Sequence, residues 1–147
     1  MTWLEYILLA ATTWFAGFFP LAEIYVAVPI GIAAGLDPVS AVFWAALGNF
    51  TPVLLIHYGY EQLQRITWLR GWLVGLASAK LQASFNRWGS WFVLAITPWA
   101  GVWVTAASAK LLNMRPAPLL WATAKSIILY GVGTAFLVET GMAWWNA

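Results

Sequence analysis

The sequence predicts an all-α integral membrane protein built as an inverted repeat. Each half is a re-entrant helical hairpin plus a transmembrane helix, and an interfacial cytoplasmic helix joins the halves. Three observations predict this. Apolar residues make up 63% of the 147 and charged residues only 8%, against about 25% charged in an ordinary soluble domain. Two long apolar stretches open on proline, whereas two others are interrupted by it. The same punctuation then recurs at a fixed spacing. The reading is a single membrane domain over 1–147, with 1–60 the first repeat half, 61–87 the linker and 88–147 the second half.

The first stretch, Leu4 to Gly35, is interrupted at Pro20, Glu23 and Pro29. Its start lacks the basic region of a secretory signal and carries Glu5, so it reads as retained structure. A proline inside a helix removes a backbone hydrogen bond that hydrocarbon cannot replace, so such breaks survive only inside protein or beside a cavity. No polar loop accompanies the break, which predicts a hairpin turning within the membrane rather than outside it. The second stretch, Val39 to Tyr60, follows Asp37-Pro38, a helix cap with a proline suited to the first helical position. It predicts a transmembrane helix over Pro38 to Tyr60. Trp88 to Ala109, interrupted at Pro98 and Gly101, predicts the second hairpin, and Arg115-Pro116 opens a second transmembrane helix to Val138.

Shifted by 78 positions, Pro20 falls on Pro98, Ala22 on Ala100, Val26 on Val104, Pro38 on Pro116 and Glu61 on Glu139. Coincidence of both breaks and both helix starts points to an internal duplication. Each half makes an odd number of crossings whether or not its hairpin spans, so the second half lies upside down relative to the first. Between them Leu63, Ile66, Leu69, Leu73 and Leu76 recur at steps of three and four, the pattern of a helix lying in the interface. Arg65, Arg70, Lys80, Arg87, Lys110 and Arg115 all fall on the linker side, which the positive-inside rule makes cytoplasmic, leaving both termini external. Most of the twelve tryptophans lie near element ends, where the headgroup layer suits them.

Glu23 is the leading candidate for function, since an ionisable group within a membrane stretch is costly and ordinarily faces an interior, a cavity or a partner. Against this stands a purely structural carboxylate capping the second hairpin arm. Lys125, nine residues into its helix, either snorkels to the surface or faces inward to neutralise Glu23 or an anionic headgroup. Asn49, beside a proline break at Pro52, either contacts substrate or holds helices together. Trp99 and Trp103 flank the second break and suit an aromatic substrate wall. Gly31/Gly35 and Gly71/Gly75 have the spacing of close helix packing. His57, Glu61 and Glu139 read as interfacial.

Pro20-Leu-Ala-Glu23 with Ala27-Val-Pro29, Gly48-Asn49 with Pro52, and Thr97-Pro98 with Gly101 and Trp103 together resemble the small multidrug export protein family. The resemblance covers nearly the whole chain. That family is similar to the DedA and VTT-domain membrane proteins, which have paired re-entrant hairpins and include proteins associated with lipid flipping and scrambling. Residue by residue, the resemblance marks Glu23, Pro29, Asn49, Pro98, Gly101 and Trp103.

The expected function is a membrane transporter or flippase of amphipathic, lipid-like or drug-like molecules, proton-coupled through Glu23, with the two hairpins meeting near the midplane. The alternative is a non-transporting membrane subunit packed in a larger complex. Without cysteine and with one histidine, no thiolate, disulfide or zinc chemistry is expected, and no nucleophile–base constellation points to an enzyme. No cofactor and no nucleic acid are expected. The expected partners are membrane lipids, an amphipathic substrate and other copies of the chain, in a bacterial inner membrane.

Overall fold

The computed structural model describes residues 2–76, 83–84, 87–112 and 114–145. Lys80, much of the predicted linker and residues 146–147 lie outside the described residues. Among the described residues there is no strand, and seven helices are defined: α1 (Trp3–Phe18), α2 (Glu23–Ala33), α3 (Pro38–Gln64), α4 (Thr67–Leu76), α5 (Ser90–Ala100), α6 (Val102–Leu111) and α7 (Pro116–Trp145).

The long helices start where the sequence predicts. Proline at the first helical position loses an N–H that would have no partner anyway. Asp37 caps α3, accepting the Ser40 amide on Oδ1 at 3.0 Å. Hydrogen bonds from Ser40, first the side chain and then the backbone, hold the Asp37 carboxyl below its usual range. The ends differ from expectation: α3 runs past Tyr60 to Gln64, and α7 past Val138 to Trp145. At 1.5 Å per residue their 27 and 30 residues extend about 40 and 45 Å. The segments Pro38–Leu63 and Pro116–Trp144 are long and apolar enough to cross a membrane. Their apolar side chains largely point outward, with Val39, Phe43, Leu47 and Leu54 exposed on α3 and Ile128, Leu129, Val132, Phe136 and Leu137 on α7. So continuous an apolar exterior suits hydrocarbon, not water.

The chain groups into two compact units, Met1–Asn49 with Ile127–Ala147, and Phe50–Ser126. In the first, Thr2 and Glu5 form a capping box: the Glu5 amide donates to Thr2 Oγ1 at 3.3 Å and the Thr2 amide to Glu5 Oε2 at 2.7 Å. α1 and α2 pack against one another across the turn at residues 19–22. α1 buries Ala10, Thr13 and Gly17, while Ala41, Ala45 and Gly48 are buried on α3. A Cβ at Gly17 would overlap the Ala45 carbonyl oxygen, and one at Gly48 the Trp14 carbonyl oxygen, so the two backbones touch. Near the start of both helices, Trp44 Nε1 donates to Tyr6 Oη at 3.1 Å and Tyr6 Oη donates to Ser40 Oγ at 3.3 Å. Thus α1 begins beside the first turn of α3 and reaches Gly48 with its last turns. At the start of α2, a Cβ on Gly131 would lie 2.8 Å from Ile24 Cδ1, and Tyr25 meets Tyr130 edge-on at 6.4 Å. Tyr130 is about 20 Å from either end of α7. The α1–α2 turn therefore lies beside the middle of a long helix.

Several expectations are corrected here. Pro29 is not a break: α2 continues through it to Ala33, and α3 likewise continues through Pro52. α2 ends instead at Gly35, whose φ of +110° permits the amide of Leu36 to reach the Gly31 carbonyl at 2.9 Å and that of Gly35 the Ile32 carbonyl at 3.0 Å. Of the paired glycines, Gly31 packs against Thr13 and Ala41, but Gly71 and Gly75 meet no described neighbour.

In the second unit α4 packs on α6, with Trp72 and Trp103 edge-on at 5.2 Å. Lys110 Nζ, at the end of α6, donates to the His57 carbonyl of α3 at 2.9 Å, within a few residues of where the chain enters α7. α5 and α6 pack together, joined by Gly101 alone.

Candidate functional site

Where the chain turns out of α1, Pro20 supplies no N–H, and the Ala22 and Glu23 amides both fold back to the Phe19 carbonyl at 3.1 and 3.2 Å. This tight reversal forces Glu23 to φ +51°, the only non-glycine with positive φ among the described residues. A left-handed conformation costs an L-residue about 1–2 kcal/mol. Such an outlier persists only where its surroundings impose it, and it is a lead to function. Glu23 is also the first residue of α2, half-buried, so its carboxylate stands at the positive end of a helix dipole. An acidic, strained residue thus occupies the turn between two packed apolar helices.

The second break is built differently. Pro98 is not at the tip: it lies inside α5, and the chain turns three residues later at Gly101, with φ +83° and ψ 155°. That region is open essentially to glycine alone. α5 tolerates Pro98 because the carbonyl deprived of its partner, Leu94 O, accepts a hydrogen bond from Ser126 Oγ of α7 at 3.0 Å. Ser126 is fully buried. Thr97 Oγ1 donates to Val93 O at 2.6 Å and Thr105 Oγ1 to Gly101 O at 2.8 Å, flanking the break with satisfied carbonyls. Glu23 and Gly101 stand 78 residues apart, the spacing of the prolines, and both carry positive φ.

The other candidates are divided between the two units. Asn49 is buried at 2% exposure and its Oδ1 has no hydrogen-bond partner among the described residues. Trp103 is buried against Trp72, whereas Trp99 is 86% exposed, so the pair forms no shared aromatic wall. The reason is the turn itself, since Gly101 separates them onto different helices. Lys125 is exposed and belongs to the second unit, and Glu23 to the first. It lines an open groove of about 200 Å³ with Ser90, Trp91, Leu94, Trp121 and neighbouring residues. Glu61 and Glu139 are exposed, and no group of three metal-ligating side chains occurs among the described residues. Sequence reasoning missed Ser126. The signal was present, because a proline within an apolar helix leaves a carbonyl that requires a donor, and hydroxyls in the crossing helix are few.

A family model described as "Putative small multi-drug export protein" matches residues 23–132, from the strained glutamate to the middle of the last helix. Comparison with curated proteins and with solved structures gave no match.

Proposed function

The chain belongs to the small multi-drug export protein family, and on that premise we propose that it carries amphipathic, lipid-like or drug-like molecules across its membrane, with Glu23 as the carboxylate that takes up and releases a coupling proton. The observation that carries this reading is the conformation of Glu23: the sequence keeps a carboxylate where the backbone favours glycine, and where the other half of the duplication has glycine. A membrane-embedded acid that responds to its surroundings is what proton coupling requires, since burial disfavours the ionised form and hydrogen bonding favours it. Asn49 supplies a second polar group, an amide oxygen held out of water and open to a hydroxyl or ammonium donor from substrate.

The proposal includes a re-entrant α1–α2 hairpin, supported by its entry beside the start of α3 and its turn beside the middle of α7. It includes inverted halves, supported by the register: Ala33 and Leu111 end α2 and α6, Pro38 and Pro116 open α3 and α7, and both pairs stand 78 residues apart. Each compact unit also combines the first half of one long helix with the second half of the other, as two helices of opposite direction would. The cytoplasmic linker, external termini and bacterial inner membrane belong to the same reading. Transport involves no catalytic step and no cofactor.

Transport against pH in proteoliposomes tests this, comparing wild type with Glu23→Gln at matched protein. Glu23→Gln keeps size and hydrogen bonding and removes the titration, so the pH response should disappear while insertion is retained. Identical rates and pH profiles would assign Glu23 to structure, and an absence of transport by wild type would favour a subunit of a larger complex.

A further inference from the structure

We propose that the groove between the start of α5 and the first turns of α7 is a binding site for an anionic phospholipid, with the lipid phosphate on Lys125 and Ser90 and the upper acyl chain against Trp91, Trp121 and Leu94. The second unit alone supports this, and nothing in it depends on Glu23 or on transport.

Lys125 lies nine residues into an apolar helix, about 13 Å from its start. A cation at that depth requires a counter-charge or a path to the headgroups. No described residue pairs with its ammonium group, and the side chain is exposed rather than turned into the unit. It opens into a groove of about 200 Å³ that also presents the Ser90 side chain. The groove is flanked by aromatic rings: Trp91 is 78% and Trp121 68% exposed. Indoles at that station mark the interface, where an apolar face meets acyl chain and the N–H meets the ester and phosphate layer. Arg87 and Arg115, both exposed, precede α5 and α7 and extend the positive charge towards the same helix ends. A phospholipid of net negative charge complements a cation, a hydroxyl donor and two rings better than an uncharged lipid or a zwitterionic one, whose quaternary ammonium offsets its phosphate.

This placement has a consequence for the helix break. Ser126 follows Lys125 and holds the Leu94 carbonyl, and Leu94 lines the groove. A bound phosphate would therefore brace α5 against α7 beside the hydrogen bond that compensates Pro98.

The experiment is tryptophan quenching in phosphatidylcholine vesicles by brominated phosphatidylglycerol or brominated phosphatidylcholine, with wild type, Lys125→Met, Lys125→Arg and Trp121→Phe. In wild type the phosphatidylglycerol probe should quench at about fivefold lower mole fraction, the scale of one basic residue's attraction to a net anionic headgroup. Lys125→Met should bring the two curves together, Lys125→Arg should keep them apart, and Trp121→Phe should remove part of the phosphatidylglycerol-specific component. If Lys125→Met does not insert, Lys125→Gln makes the same comparison. Coincident curves in wild type, or an undiminished separation without the lysine ammonium, would overturn the site. So would loss of the separation on adding inorganic phosphate, since that would show a free-anion site instead of a lipid site.

Discussion

Glu23 and Gly101, 78 residues apart, accept the same sign of φ, yet only one of them can do so without strain. Replacing Glu23 by glycine should therefore relieve about 1 kcal/mol, giving a midpoint of thermal unfolding in detergent no lower than that of wild type, while the pH response of transport is lost as in Glu23→Gln. A Glu23→Gly protein that unfolds earlier than Glu23→Gln would mean that the side chain's hydrogen bonding, not relief of the backbone, decides the stability of the turn. The converse substitution, Gly101→Ala, forces a side chain into a region that costs about 1–3 kcal/mol and should lower the midpoint. Asp37 allows a pH test outside the membrane spans. Its folded-state pKa is depressed by Ser40, so the cap is at full strength above the unfolded carboxylate pKa of about 3.9 and is lost as pH falls through the lower folded value. Asp37→Ala should cost about 1 kcal/mol at neutral pH, with the difference from wild type closing only below that range. Asp37→Asn, which caps without titrating, should show no such closure.

At the scale of the element, the proline in α5 and the serine in α7 form one device. Ser126→Ala leaves the Leu94 carbonyl buried without its donor, a loss of about 1–3 kcal/mol. In a Pro98→Ala background the restored amide serves that carbonyl and the serine is redundant. The double-mutant cycle should thus show a coupling of about 1 kcal/mol or more, and strictly additive effects would dissolve the pairing. The same bond shows why some of the fold was legible in the sequence and some was not. The starts of α3 and α7 were legible because a capping residue or a first-position proline acts locally. Gly101 was legible as a break beside Pro98, but that the helix continues through Pro98 was not, because the proline is tolerated through a hydroxyl far along the chain. Burial of Asn49 followed from its place in an apolar helix. The burial of Trp103 was not legible, because it meets Trp72, in a segment read only as interfacial. The close approach of Gly17 to Ala45 and of Gly48 to Trp14 was obscured by the many other small residues, although Ala41, Ala45 and Gly48 line one face at helical spacing.

For the whole molecule, the absence of cysteine makes the direction of the chain directly measurable. The 78-residue register of α2 with α6 and of α3 with α7 supports the proposed halves, and under that proposal the direction of each follows from the number of crossings. If both α1–α2 and α5–α6 enter and leave by one face, α3 and α7 are the only full crossings, so the segment between them lies opposite to both ends. If each pair spans completely, every half gains two crossings and the conclusion is unchanged. Arg65, Arg70, Arg87 and Arg115 are exposed, and the positive-inside rule would put them on the cytoplasmic side of the proposed arrangement. Single cysteines at Thr2, Arg70, Arg115 and Trp144, labelled from outside intact cells with a membrane-impermeant maleimide, should divide into two sets. Thr2→Cys and Trp144→Cys should react in intact cells, whereas Arg70→Cys and Arg115→Cys should react only after permeabilisation. Removing arginines bears on the orientation itself, so Thr67→Cys, which keeps every basic residue, serves as the control for the linker. Labelling of Thr67→Cys on the same face as Thr2→Cys would eliminate the inverted arrangement whatever the number of crossings in each hairpin.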